Sequence, residues 1–160
     1  MVLIIRKTMI NILFLEDDIF LLRAVTDTLK EIQTKNNIVL NVIACSNIYE
    51  ANKELKLLSK VDIIVTDLSM VTNGLDKALI KETSNGFLTG WVWLQHHVLN
   101  SSKFDKTNII IWSGYSDLFN NKICSQKDLD DKYGKNGRVI KLMSKSTYYG
   151  LEKTIMDLIK

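Results

Sequence analysis

Three acidic side chains close two short apolar runs. Glu16 and Asp17 follow Ile10-Asn11-Ile12-Leu13-Phe14-Leu15, and Asp67 follows Val61-Asp62-Ile63-Ile64-Val65-Thr66. β-Branched runs of this length read as buried parallel strands. In an open parallel sheet, ligands collect at the carboxyl ends of the strands. Two strands therefore deliver carboxylates to one rim, and a few carboxylates with room for water are what Mg²⁺ takes as ligands. Two later runs place polar groups in the same position. Ile109-Ile110-Ile111-Trp112 is followed by Ser113, and Val139-Ile140-Lys141-Leu142-Met143-Ser144 by Lys145. The set offers a metal site, a nucleophilic carboxylate, a hydroxyl and a counter-cation.

Helix capping competes for Glu16, Asp17 and Asp18, because acids favour a helix N-terminus. It accounts for one or two of them and leaves Asp67, Ser113 and Lys145 unexplained. His96 and His97 are adjacent, point in different directions, and read as surface residues rather than ligands. Cys45 lies in an apolar run and reads as a small buried hydrophobe. Neither it nor Cys124 has metal-ligand spacing.

The elements that must position these groups alternate in period. A stripe of Leu22, Val25, Leu29 and Ile32 predicts a helix over 19–33, ended by Asn36-Asn37. Residues 38–44 alternate as a second strand, and Ser46 or Asn47 can cap a helix running to about 59. After the third strand, 68–88 carries the turn signals Asn73-Gly74 and Asn85-Gly86. A helix is expected over 89–100, with Trp91, Leu94 and Val98 on one face; of Trp91 and Trp93, one should be buried and the other exposed. Strand four covers 108–112, one weakly helical stretch covers 115–133, strand five covers 138–143, and a last helix covers 147–159. Five strands alternating with helices predict a doubly wound, five-stranded parallel α/β sheet, with helices on both faces and order 2-1-3-4-5.

The 160 residues suit one domain: a tail over 1–8 and a domain over 9–160 with an insertion at about 71–88. Hydrophobic content of 46% and charged content of 24% are those of an ordinary globular chain. No apolar stretch approaches membrane-spanning length, and the start lacks the order of a signal peptide. Two cysteines imply no disulfide framework, so a cytoplasmic location is expected. The net charge of +3 is spread along the chain, so no direct nucleic-acid or membrane partner is expected.

From Ile10 to Ile159 the chain resembles the receiver domain of two-component response regulators, here as a stand-alone and somewhat atypical form. Ile12-Leu13-Phe14-Leu15-Glu16-Asp17-Asp18 is similar to the family's acidic first-strand motif, with Glu16 and Asp17 matching its metal-binding pair. Asp67 in Val65-Thr66-Asp67-Leu68-Ser69-Met70 resembles the phosphoacceptor, Ser113-Gly114 the hydroxyl and small residue, and Lys145 the lysine after strand five. The resemblance implies a Mg²⁺ held by Asp17, Asp67 and the Ser69 backbone carbonyl, with Glu16 acting through water. It implies phosphoryl transfer to Asp67 from a sensor histidine kinase or phosphotransfer protein, and tuning of phosphate loss by Ser69 and Tyr115. A separate downstream effector protein would read the phosphorylated face. The domain would not be an enzyme in its own right, and pairing of two copies through the fourth and fifth helices is a family alternative. The chain departs from the pattern at Ser146 and Val71, which replace the usual prolines, at Leu142, which replaces a frequent aromatic, and in a longer loop after Asp67. Gly90, rather than Gly74, aligns with the glycine before helix three. A pseudo-receiver, binding partners without phosphorylation, is the competing reading. A Mg²⁺-dependent phosphohydrolase lacks its second acid here, because Ser69 stands where that acid would be. A flavin carrier would place a phosphate loop against Glu16-Asp17-Asp18.

Overall fold

Neighbouring residues of a strand point to opposite faces of its sheet, and that alternation divides this protein's core in two. In the computed structural model, which describes residues 7–146 and 148–160 apart from the side chains of 148 and 149, five strands form one sheet. They are β1 Met9–Leu15, β2 Val39–Cys45, β3 Ile63–Thr66, β4 Asn108–Ser113 and β5 Ile140–Ser144. All pairings are parallel, and the order is β2-β1-β3-β4-β5, as the sequence predicts. Leu13, Leu15, Ile64, Ile109 and Ile111 point to one face; Ile12, Phe14, Ile63, Val65, Ile110 and Trp112 point to the other.

The described residues form seven helices: α1 Ile19–Asn36, α2 Ile48–Leu57, α3 Lys77–Ile80, α4 Thr89–Leu94, α5 Ser116–Lys122, α6 Gln126–Tyr133 and α7 Tyr148–Ile159. Helices α1 and α7 cover the second face through Leu22, Val25, Leu29, Leu151 and Ile155. Helices α2, α4, α5 and α6 cover the first through Ile48, Leu55, Trp93, Phe119 and Leu129. The winding reverses between β1 and β3, so the crevice at their carboxyl ends is where such a sheet binds ligands. No helix among the described residues is long and apolar enough to cross a membrane.

Local signals explain most boundaries. Asn37 takes the left-handed conformation (φ 53°) that ends α1, and Asn47 caps α2 by accepting the Glu50 N–H. The expected turns at Gly74 and Gly86 have φ of 89° and 91°, a region glycine enters without steric cost. Between them, Asp76 caps α3, which continues as a 3-10 turn over Lys81–Thr83. Gly74 lies so close to α2 that a Cβ there would fall 2.4 Å from the Tyr49 backbone nitrogen.

Three expectations need correction. The 115–133 stretch is two helices, because Ser125 and Asp128 form a reciprocal capping box that starts α6 afresh. Trp91 and Trp93 are both buried: Trp91 packs edge-on against Phe119 and Tyr133, and Trp93 Nε1 donates to Asn52 Oδ1 at 2.8 Å. Neighbours on both sides of α4 leave neither indole facing solvent. The expected 89–100 helix ends as α at Leu94 and widens into a π-turn over Gln95–Leu99. Residues 1–6 of the expected tail, and the start of the last helix at 147, lie outside the described residues.

Candidate functional site

Strands β1 and β3 are adjacent and in register, with Leu15 opposite Thr66. Glu16 and Asp67 therefore leave the sheet side by side. The ladder runs one step further, since Asp67 N donates to Leu15 O at 3.2 Å. One carboxylate oxygen each from Glu16, Asp17 and Asp67 lies within 4.8 Å of the others. Lys145 arrives from β5: Ser113 pairs with Ser144, and Lys145 N donates to Ser113 O at 3.2 Å. Its ammonium donates to Glu16 Oε2 and to Asp67 Oδ2, both at 2.6 Å. The same ammonium sits 5.4 Å from the centre of the Trp112 ring, a cation–π contact.

Each of the three acids also accepts a backbone N–H that fixes its orientation. Glu16 Oε1 accepts from Asp18 N at 3.0 Å, Asp67 Oδ1 from Leu68 N at 2.7 Å, and Asp17 Oδ2 from Val71 N at 3.2 Å. Asp18 is the residue that caps α1, accepting from Phe20 N and Leu21 N. Capping thus explains Asp18 and not the three acids that converge.

Burial sets the electrostatics. Glu16 is 1% exposed, and desolvation raises its carboxyl above the ordinary range despite the opposing Lys145 hydrogen bond. Burial would lower the Lys145 ammonium, but its bonds to Asp67 and Glu16 outweigh that and leave it raised. Three carboxylates face one ammonium, an excess of negative charge that a divalent cation would offset. The donor set fits such a cation, being made of hard oxygens only. Asp17 is the best placed direct ligand, because only its Oδ2 accepts a hydrogen bond, whereas both oxygens of Glu16 and both of Asp67 already do.

The remaining expected residues lie around this centre. Ser113 is fully buried, and its Oγ accepts from Tyr115 N at 3.2 Å, so the hydroxyl engages its own loop. Ser69 and Asp17 line a cleft of about 1010 Å³, as do Lys81 and Asn85. Tyr115 is half exposed and packs edge-on against Phe87 with ring centres 4.9 Å apart. A Cβ on Gly90 would fall 1.7 Å from Asp67 O, so α4 comes this close to the site only because residue 90 is glycine.

Other contributors were not singled out from the sequence. Ser144 and Ser146 bond to one another, with Ser146 N also donating to Ser144 Oγ at 3.2 Å. This hydroxyl pair braces the turn that presents Lys145. The Ser-Lys-Ser triplet was a visible signal for it. Phe87, Trp112 and the Val71 N–H carried no such signal, because their roles arise from tertiary contact. Among the residues read as structural, Cys45 is buried and its thiol is pushed up to about 12 by burial, with Glu50 and Glu54 adding to it. His96 is exposed and lies 3.2 Å from Glu82, whereas His97 is half-buried. No protein-family model, curated protein or solved structure matches this chain.

Proposed function

We propose that this chain works as a receiver-type phosphoryl acceptor with Asp67 as the nucleophile. The observation that carries the reading is the Lys145 ammonium bridging Glu16 and Asp67 beside Asp17. In the reaction, a carboxylate oxygen of Asp67 attacks the phosphorus of a phosphohistidine on a kinase or phosphotransfer protein. An O–P bond forms, the P–N bond breaks, and the imidazole leaves with the electron pair and takes up a proton. A Mg²⁺ on Asp17, Asp67 and the Ser69 carbonyl, with Glu16 through water, would neutralise charge on the phosphoryl oxygens. Lys145 stays within reach of the modified side chain and supplies a second positive charge. Asp17 and Glu16 keep their orientation through the Val71 and Asp18 N–H groups.

The Ser113 hydroxyl can turn from Tyr115 N to a phosphoryl oxygen, drawing in the loop that leads to α5 and altering the face offered to an effector. Incubation with acetyl phosphate and Mg²⁺, followed by intact-mass measurement, tests the reading. The expected result is a gain of one phosphoryl group that Asp67→Asn abolishes. No gain beside a working control would overturn it in favour of a phosphorylation-independent binding module. That second reading draws on the departures at Val71, Leu142 and Ser146 and on the long segment after Asp67.

A further inference from the structure

At the amino end of the sheet, opposite the acidic rim, a pocket of about 280 Å³ lies between α2, the π-turn and the chain that leads into β4. Its lining is Asn52, Leu55, Lys56, His97, Lys103 and Phe104. Among the described residues two lysines border it and no acid does. Leu55 and Phe104 are buried core residues that give it an apolar floor. Lys103 is held at the lip, its Nζ donating to Leu55 O at 2.6 Å and lying 5.3 Å from the Phe104 ring centre. That bond uses one of three ammonium donors. Asn52 gives its amide oxygen to Trp93 Nε1, so what it offers a ligand is its NH₂ group. The His97 ring forms another wall, and its Nε2 is covered without a hydrogen-bond partner among the described residues. Burial lowers the His97 imidazole, with His96 and Lys56 adding to the effect and Asp76 opposing it. Positive charge at neutral pH therefore comes from the lysines. The His97 position depends on the widened backbone of Gln95–Leu99, and π-turns within helices are frequent at functional sites.

We propose that this pocket binds a small organic carboxylate, with the carboxylate group between Lys56 and Lys103 and the apolar body against Leu55 and Phe104. The apolar floor disfavours a phosphate dianion, which would leave an oxygen against Leu55 and Phe104 without a donor. The volume admits a fragment and not a drug-sized molecule. The inference does not depend on phosphorylation of Asp67.

Benzoate is a suitable probe, with benzamide as its neutral isostere, in a titration of the full chain followed by amide and indole N–H chemical shifts. Saturable shifts are expected at Asn52, His97 and the Trp93 indole, with a benzoate dissociation constant on the order of 1 mM. Benzamide should bind about tenfold more weakly. Lys56 is exposed, so Lys56→Met should fold normally and weaken benzoate roughly three- to tenfold. Lys56→Arg should restore binding, and Lys53→Met, outside the lining, should leave it unchanged. Equal binding of benzoate and benzamide would overturn the proposal. So would shifts centred elsewhere, an unaltered Lys56→Met titration, or no saturable shift at roughly ten times the expected constant.

Discussion

Replacing Lys145 by methionine keeps the length of the side chain and removes the ammonium that both Glu16 and Asp67 share. Glu16 is 1% exposed and Asp67 7%, so the variant leaves two carboxylates together without a counter-charge. Breaking a buried pair in this way costs about 3–5 kcal/mol. The Lys145 side chain keeps 20% of its exposure, which points to the lower end, about 3 kcal/mol, or a Tm lowered by roughly 6–12 °C for a chain of this size. The loss must depend on pH. Burial already raises the Glu16 carboxyl above its ordinary 4.5, and without Lys145 the Asp18 N–H bond alone opposes that. A carboxyl raised on folding favours the folded state below its unfolded value and penalises it progressively as pH rises through the folded one. The gap between wild type and variant should therefore be widest at neutral pH and narrow as the pH falls towards about 5. Adding Glu16→Gln to Lys145→Met should recover part of the lost stability at neutral pH. Thermal melts of wild type, Lys145→Met and the double variant across pH are the assay. A Lys145→Met protein as stable as wild type, or a gap that stays flat with pH, would refute the claim that this ammonium neutralises both acids.

Gly90→Ala would press a methyl group onto the Asp67 carbonyl and should cost about 3 kcal/mol in urea unfolding. Gly114→Ala meets nothing within 4 Å and should change stability by less than about 0.5 kcal/mol. His97 is depressed below its ordinary 6.5, so its contribution is present above that value and lost as pH falls through the folded one. His97→Gln should flatten the urea midpoint between neutral and mildly acid pH. Mg²⁺ at ten times its dissociation constant should stabilise the protein by about 1.4 kcal/mol, and both EDTA and Asp17→Asn should remove the effect. If the Phe87–Tyr115 pair shields the acyl phosphate, Phe87→Ala and Tyr115→Ala should each hasten its loss severalfold in a mass-spectrometric time course, and unchanged rates would argue against shielding.

The sheet was legible because buried parallel strands write themselves as short β-branched runs, and five of them alternated with helical stripes. Strand order followed from handedness and from the need to cover both faces. The positions of Glu16, Asp17, Asp67, Ser113 and Lys145 on one rim followed from those strand ends. What the sequence hid arises from contact between distant elements. Periodicity alone could not show that α4 is covered on both sides, and so it misassigned the exposure of Trp91 and Trp93. The break between α5 and α6 was readable in Ser125 and Asp128, but the weak apolar pattern across 115–133 masked it. The support that Val71 N gives to Asp17 depends on how 68–88 folds back, and no local signal encodes that path.

Ser113 is gripped twice, its carbonyl by Lys145 N and its hydroxyl by Tyr115 N. Any force on this one residue is thus divided between two loops, one bearing the ammonium and one starting α5. Through these two bonds the turn that carries the ammonium and the start of α5 share one anchor, with no part of the core between them.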